Sequence, residues 1–244
     1  MLPVLEGIIA RRLLINFRVA PELVRPLVPA ALEIVEQNGF AVVGVCLIRL
    51  EKLRPSGTPA ALGLSSENMA HRIAIRYRSG GQTRDGVFIW RRETDCAAVA
   101  MLGGRFFPGV HGRAQFKVAQ SENSFGIRID TADRLADVAL DAHSNVPWKA
   151  TPLFGTLDEA SAFFEKGACG FSCGQEGRLE GMRLNTRRWR VEPLSVGAVH
   201  SAFFARNVPA GGAEFDCAIL MRDVPHSWHV IDEVPTEITE RRLV

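Results

Sequence analysis

Lysine is scarce in this chain. Only Lys52, Lys117, Lys149 and Lys166 occur in 244 residues, so arginine supplies nearly all the positive charge. Tyrosine is scarcer still, a single residue beside fourteen phenylalanines, which points to dry packing clusters rather than a base-stacking surface. Net charge is small as well: 29 basic and 27 acidic residues leave +2, no electrostatic reason to expect nucleic acid or an anionic membrane as partner. No apolar run approaches the roughly 20 residues needed to span a bilayer. Met1–Ala10 is short, mixed and followed by Arg11-Arg12, which is not a signal-peptide pattern. The expectation is a soluble cytoplasmic protein with its five cysteines reduced.

Familiar reaction motifs are missing too. There is no Gly-x-Ser-x-Gly elbow and no Ser-x-x-Lys. Neither a dinucleotide glycine fingerprint nor a phosphate loop occurs. His226-x-x-His229 follows Pro225, which argues against a helical ligand pair, and Cys169-x-x-x-Cys173 has no second pair. We therefore expect no metal and no cofactor.

What is present is a chain of ordinary globular composition, 47% hydrophobic and 23% charged, with no repeat and no persuasive linker. We read residues 1–244 as a single domain. Strands are expected over Gly7–Val19, Ala31–Val35, Phe40–Leu50, Met69–Arg78, Gly86–Arg92, Ala114–Ala119, Gly126–Asp130 and Leu135–Ala142. Further strands follow at Gly177–Leu184, Arg188–Leu194, Val196–Phe204 and Phe215–Arg222. Asn38-Gly39 is a hairpin signal. Short helices are expected at Pro21–Val28 and Cys96–Leu102, and a third at Leu157–Lys166 behind the capping box Thr156-Leu157-Asp158-Glu159. The segment Asp141–Phe154, with Pro147 and Pro152, is a candidate seam or lid. The pattern is α+β and dominated by antiparallel strands.

The densest chemistry lies in Gly103–Ala114. Three glycines and a proline within Gly103–Gly109 force a turn, yet Arg105, Phe106, Phe107, His111 and Arg113 crowd into and around it. Arg91, Arg92, Arg105 and Arg113 surround one short helix. Guanidinium forks suit a carboxylate, an enolate or a phosphate, so convergence of two of them implies an anionic ligand. The same arginines would equally fit rim ion pairs with Glu93 and Asp95. His111 can act as acid, base or donor near neutral pH, or be satisfied by turn backbone. Upstream, Glu67 and Asn68 precede the expected strand and can point inward from a loop, while His71 and Arg72 occupy opposite faces of it.

These segments carry a resemblance. Gly104, Arg105 and Gly109 match the Gly-Arg-Glu-x-x-Gly-x-Pro-Lys-Lys segment of the acetoacetate decarboxylases, and Val28-Pro29-Ala30-Ala31-Leu32-Glu33-Ile34 resembles their Val-Pro-x-x-Leu-Glu-Ile. The chain is more closely similar to the uncharacterised YqjF-like bacterial family of that superfamily. The patterns are Ser66-Glu67-Asn68 to Ala74, Gly103 to His111, Phe163-Phe164, Trp189 to Leu194, and Phe215 to Asp223.

The resemblance implies a curved antiparallel sheet or cone-like β-barrel with a few flanking helices, and makes a homo-oligomer plausible. It also implies an active-site role for Glu67, and for an N-terminal arginine, either Arg11 or Arg12. The departure is chemical: Gly112 stands where the decarboxylases carry their Schiff-base lysine, and Arg113 where they carry its neighbour. Lys117 falls on the opposite strand face from Gly112 and cannot easily replace it.

The expected function is a small-molecule pocket for a small carboxylate or keto compound. Glu67 and His111 would move protons, and His71, Arg72, Arg92, Arg105 and Arg113 would hold the ligand, without an imine. The alternative is a non-catalytic module that binds or senses a small anionic or aromatic metabolite.

Overall fold

The computed structural model describes residues 4–102, 109–174 and 178–231. Its centre is β4 (Phe40–Pro55), whose apolar run is buried on both faces between two long neighbours. Those are β1 (Leu5–Val19) and β5 (Leu64–Ser79). Between β1 and β4 lie α1 (Pro21–Val24) and the two-residue strands β2 (Glu33–Ile34) and β3 (Glu36–Gln37). The β3–β4 turn carries positive φ at Asn38 (50°) and Gly39 (81°), as its Asn-Gly sequence predicts.

The chain continues through β6 (Gln82–Thr94), α2 (Ala97–Leu102), β7 (His111–Gln120), β8 (Ser124–Thr131) and β9 (Val138–His143). Then come α3 (Leu157–Lys166), β10 (Cys169–Cys173), β11 (Leu179–Thr186), β12 (Glu192–Ser201), α4 (Ala202–Asn207) and β13 (Ala213–Ile231). The Thr156 side chain and Glu159 close the expected capping box on α3.

The pairing pattern corrects the expected antiparallel cone-like barrel. The sheet is mixed: β6 takes β5 along one edge, while β10 and β7 share its other edge, both parallel to it. Parallel neighbours need a crossover, which α2 provides between β6 and β7. At the far side β13 likewise takes β1 on one edge and divides the other between β12 and β11. Two closed rings of strands therefore share β13-β1-β4-β5-β6. The larger is completed by β7-β8-β9-β12 and the smaller by β10 and β11.

Each face of the shared strands has its own filling. Leu13, Val45, Met69 and Ile73 join Ile127, Leu140 and the α4 aromatics Phe203 and Phe204 in the main core. On the opposite face Leu14, Cys46 and Ala74 meet Phe154 and Phe164. Burial of one such large side chain stabilises by roughly 1.5–3 kcal/mol.

Three other sequence expectations shift. The 141–154 segment is anchored: Leu153 and Phe154 are buried, and the Thr151 hydroxyl (2.7 Å) and the Leu153 N–H (3.2 Å) donate to Asp216. The expected strand Val196–Phe204 ends at Ser201, whose hydroxyl accepts from the Phe204 N–H and starts α4. Strand β10 is absent from the sequence expectation, because a five-residue Cys/Gly/Ser-rich run carries no periodicity. Among the described residues no helix is long and apolar enough to cross a membrane.

Candidate functional site

The smaller ring encloses a cavity of about 130 Å³ lined from every one of its strands. Ile48, Leu50, Ile89, Met182, Leu184 and Trp228 make most of it apolar. Into this lining come Arg12 of β1, Arg72 of β5, Arg92 of β6 and, from the start of β7, His111.

Register explains the convergence. In the ladders, Arg12 lies opposite Ile48, Leu14 opposite Cys46, Cys46 opposite Ala70, and Ala70 opposite Arg92, whose parallel partner is His111. Paired residues share a face, so the three cations border one space floored by the short side chains of Cys46 and Ala70. Two bulges set the phase. One follows Ile9 on β1 and returns Ile9 and Arg12 to the same face. The other, between His71 and Arg72 against β6, brings Ile89 and Arg92 to the cavity although they are three residues apart.

Glu93 also lines the cavity, paired with Arg91 rather than with these cations. Among the described residues no carboxylate lies within ion-pair distance of Arg12, Arg72 or Arg92. Arg72 donates through Nη2 to Asn16 Oδ1 (2.7 Å) and stacks 5.2 Å from the Phe164 ring, but its enclosed Nε has no acceptor. Arg92 is half-buried and donates through Nε to Ser172 Oγ (3.0 Å), while its enclosed Nη2 has none. Among the described residues Arg12 donates only to sulfur, Cys46 Sγ at 3.4 Å and Met221 Sδ at 3.9 Å. Burial lowers the proton affinity of Arg72 and of Arg92 to a pKa of about 10 each.

His111 is half-buried, with Nδ1 3.1 Å from the Gly109 carbonyl, so the proton sits on Nδ1. Burial, and then the Arg92 charge, push its pKa down to about 4, leaving the ring neutral at pH 7.

The remaining candidates lie elsewhere. Glu67 is not in a loop: β5 begins at Leu64, and alternation turns Glu67 to the face opposite the cavity. There Arg11 Nη2 donates to it at 2.5 Å, and Arg49 lies 3.9 Å away. Burial raises its pKa, against the pull of Arg11. The N-terminal ambiguity is thereby resolved: Arg11 pairs with Glu67 and Arg12 faces the cavity.

His71 has no exposed surface; its Nε2 is 2.9 Å from Ser201 Oγ and its ring packs 4.8 Å from Phe203. Burial depresses its pKa to about 3. Arg113 is exposed and donates to the Asp95 carbonyl. Arg105, Phe106 and Phe107 lie outside the described residues. The structure thus brings Arg72, Arg92 and His111 together, and adds Arg12 and Cys46. Of these two, only Arg12 carried a signal, in the alternation that sets it with Leu14.

Gly112 has a steric reason. A Cβ there would fall 2.8 Å from Glu93 Cδ and overlap the carboxylate. Glu93 is 2% exposed; its Oε1 accepts from Arg91 Nε (3.0 Å) and Nη2 (2.6 Å), and burial raises its pKa. Gly112→Ala should lower stability by about 1–3 kcal/mol in urea unfolding. An unchanged midpoint would show that Glu93 moves aside freely.

The sequence matches DUF2071, described as an uncharacterized conserved protein, over residues 9–222. The chain belongs to this family. No curated protein sequence matches it. Among solved structures, an acetoacetate decarboxylase-like enzyme from Sphingomonas wittichii RW1 superposes with a TM-score of 0.59 at 13% identity, over 95% of this chain and 93% of that one. Acetoacetate decarboxylase from Legionella pneumophila gives 0.52 at 17% identity, over 95% and 88%. The enduracididine biosynthesis enzyme MppR, complexed with pyruvate, gives 0.52 at 10% identity, over 95% and 91%. At such identities the likeness establishes an acetoacetate decarboxylase-like fold for this DUF2071 member.

Proposed function

We propose that this DUF2071 chain, a single cytoplasmic domain, binds a small carboxylate or keto acid in the arginine-lined cavity. It acts on that ligand by acid/base chemistry without a Schiff-base amine. One observation supports the reading: Arg72 and Arg92 line the same cavity, and among the described residues each keeps a buried N–H group with no protein acceptor. A buried cation without a partner is costly, and an anionic ligand supplies the missing acceptors.

None of the four lysines lines the cavity. Neutral His111, whose protonated Nδ1 leaves Nε2 as the basic nitrogen, is the group that moves the proton. Glu67 faces away, and that placement favours the second reading, a binding module without turnover.

Pyruvate, the ligand of the MppR complex, serves as probe. Binding is followed by calorimetry, and exchange of its methyl protons in D₂O by NMR. Catalysis predicts exchange accelerated by about a hundredfold or more over buffer, reduced to background by His111→Ala. Binding without exchange establishes the module instead. Borohydride should trap no lysine adduct; a reduced adduct in the cavity contradicts the lysine-free chemistry.

A further inference from the structure

The cavity holds more positive charge than one carboxylate neutralises, and it holds it at two ends. Arg12 and Arg72 also border a small adjoining cavity beneath α3, next to Phe163 and Phe164; Arg92 and His111 do not. The field of Arg12 reaches Arg72, and that of Arg92 reaches His111. Among the described residues, Cys46 and Ala70 floor the space between the two ends with side chains too short to bridge them. The carboxylate whose field reaches Arg92 is Glu180, and it is already engaged by the Gly109 N–H at 2.7 Å.

We infer that the ligand of this cavity is a small dicarboxylate, one acid group taken by Arg12 and Arg72 and the other by Arg92 beside His111. The inference rests on reading the cavity as an anion site and names its substrate class. Among the described residues each end keeps a buried N–H without an acceptor, Arg72 Nε at one and Arg92 Nη2 at the other, and a second acid group supplies what a single one leaves unmet. Size agrees: a cavity of about 130 Å³ has room for roughly ten water-sized groups, the bulk of a four- or five-carbon diacid. The apolar wall between the ends, Ile48 and Ile89 among it, suits the intervening methylenes. A phosphate concentrates its charge at one point and would leave one end unpaired.

Succinate and butyrate share a four-carbon skeleton and differ by one carboxylate, so the pair isolates the second acid group. Calorimetry on the full chain should show succinate binding at least about tenfold more tightly than butyrate. Arg12→Gln and Arg92→Gln should each erase that difference, with melting curves confirming that both variants fold. Equal affinities for the two acids overturn the inference and leave a single-anion cavity standing. Discrimination retained in either variant also overturns it. Inorganic phosphate binding more tightly than succinate replaces the diacid with a point dianion. If none of the three binds at millimolar concentration, the anion reading itself falls with it.

Discussion

Arg92→Met should melt at a higher temperature than the natural chain while its succinate affinity falls to the level of butyrate. The guanidinium has given up water without gaining a carboxylate, and its one protein acceptor is the Ser172 hydroxyl. Replacing an incompletely compensated buried charge with an apolar side chain of similar length commonly stabilises by 1–4 kcal/mol, and we expect about 2 kcal/mol here. For a chain of this size that is roughly 4–8 °C. The buried Ser172 hydroxyl loses this partner, which offsets part of the gain. A structural arginine behaves in the opposite way, since its removal would lower the melting point. Calorimetric melting at pH 7 with and without succinate separates the two. The succinate-induced shift should shrink to the one butyrate gives even as the unliganded melting point of the variant rises.

Acid should unfold the protein early. His71, His111 and His226 are held neutral, with pKa values of about 3, 4 and 4, chiefly by burial. In the unfolded chain the same imidazoles take up protons near pH 6.5. Between about pH 6.5 and 4 the unfolded state therefore binds more protons, so stability is full above 6.5 and falls as pH falls. Across that window the three together are worth on the order of 9 kcal/mol, comparable with the net stability of a domain. Glu67 and Glu93, whose pKa values are raised by burial, accept protons in the folded state and return part of the loss. Urea midpoints measured from pH 7.5 downward test this. A stability flat to pH 5 would mean that the buried rings are reached by water.

These two expectations draw on different parts of what could be read early. The Asn38-Gly39 turn, the Thr156–Glu159 capping box and the apolar β4 run were legible because each is set by a few adjacent residues. Arg92 and His111 were legible as candidates because cations and an imidazole crowd around a glycine-rich turn, and Arg72 because it stands with Glu67, Asn68 and His71 at the mouth of an expected strand. Glu67 and His71 look equivalent to them in one dimension. Strand alternation then sends Glu67 to Arg11 and His71 into the Phe203–Phe204 core.

By itself the sequence determined a strand-rich, arginine-rich and lysine-poor chain; a glycine in place of an amine nucleophile was what the decarboxylase resemblance implied. The tertiary structure alone decided which arginines meet. A strand has a period of two, so a single bulged residue reverses every side chain beyond it, and no local pattern announces where Ala10 or Trp90 will be extruded from register. The ring that encloses the cavity also depends on β10 and β11 joining β6 to β13, partners far away in the chain whose pairing no short window contains.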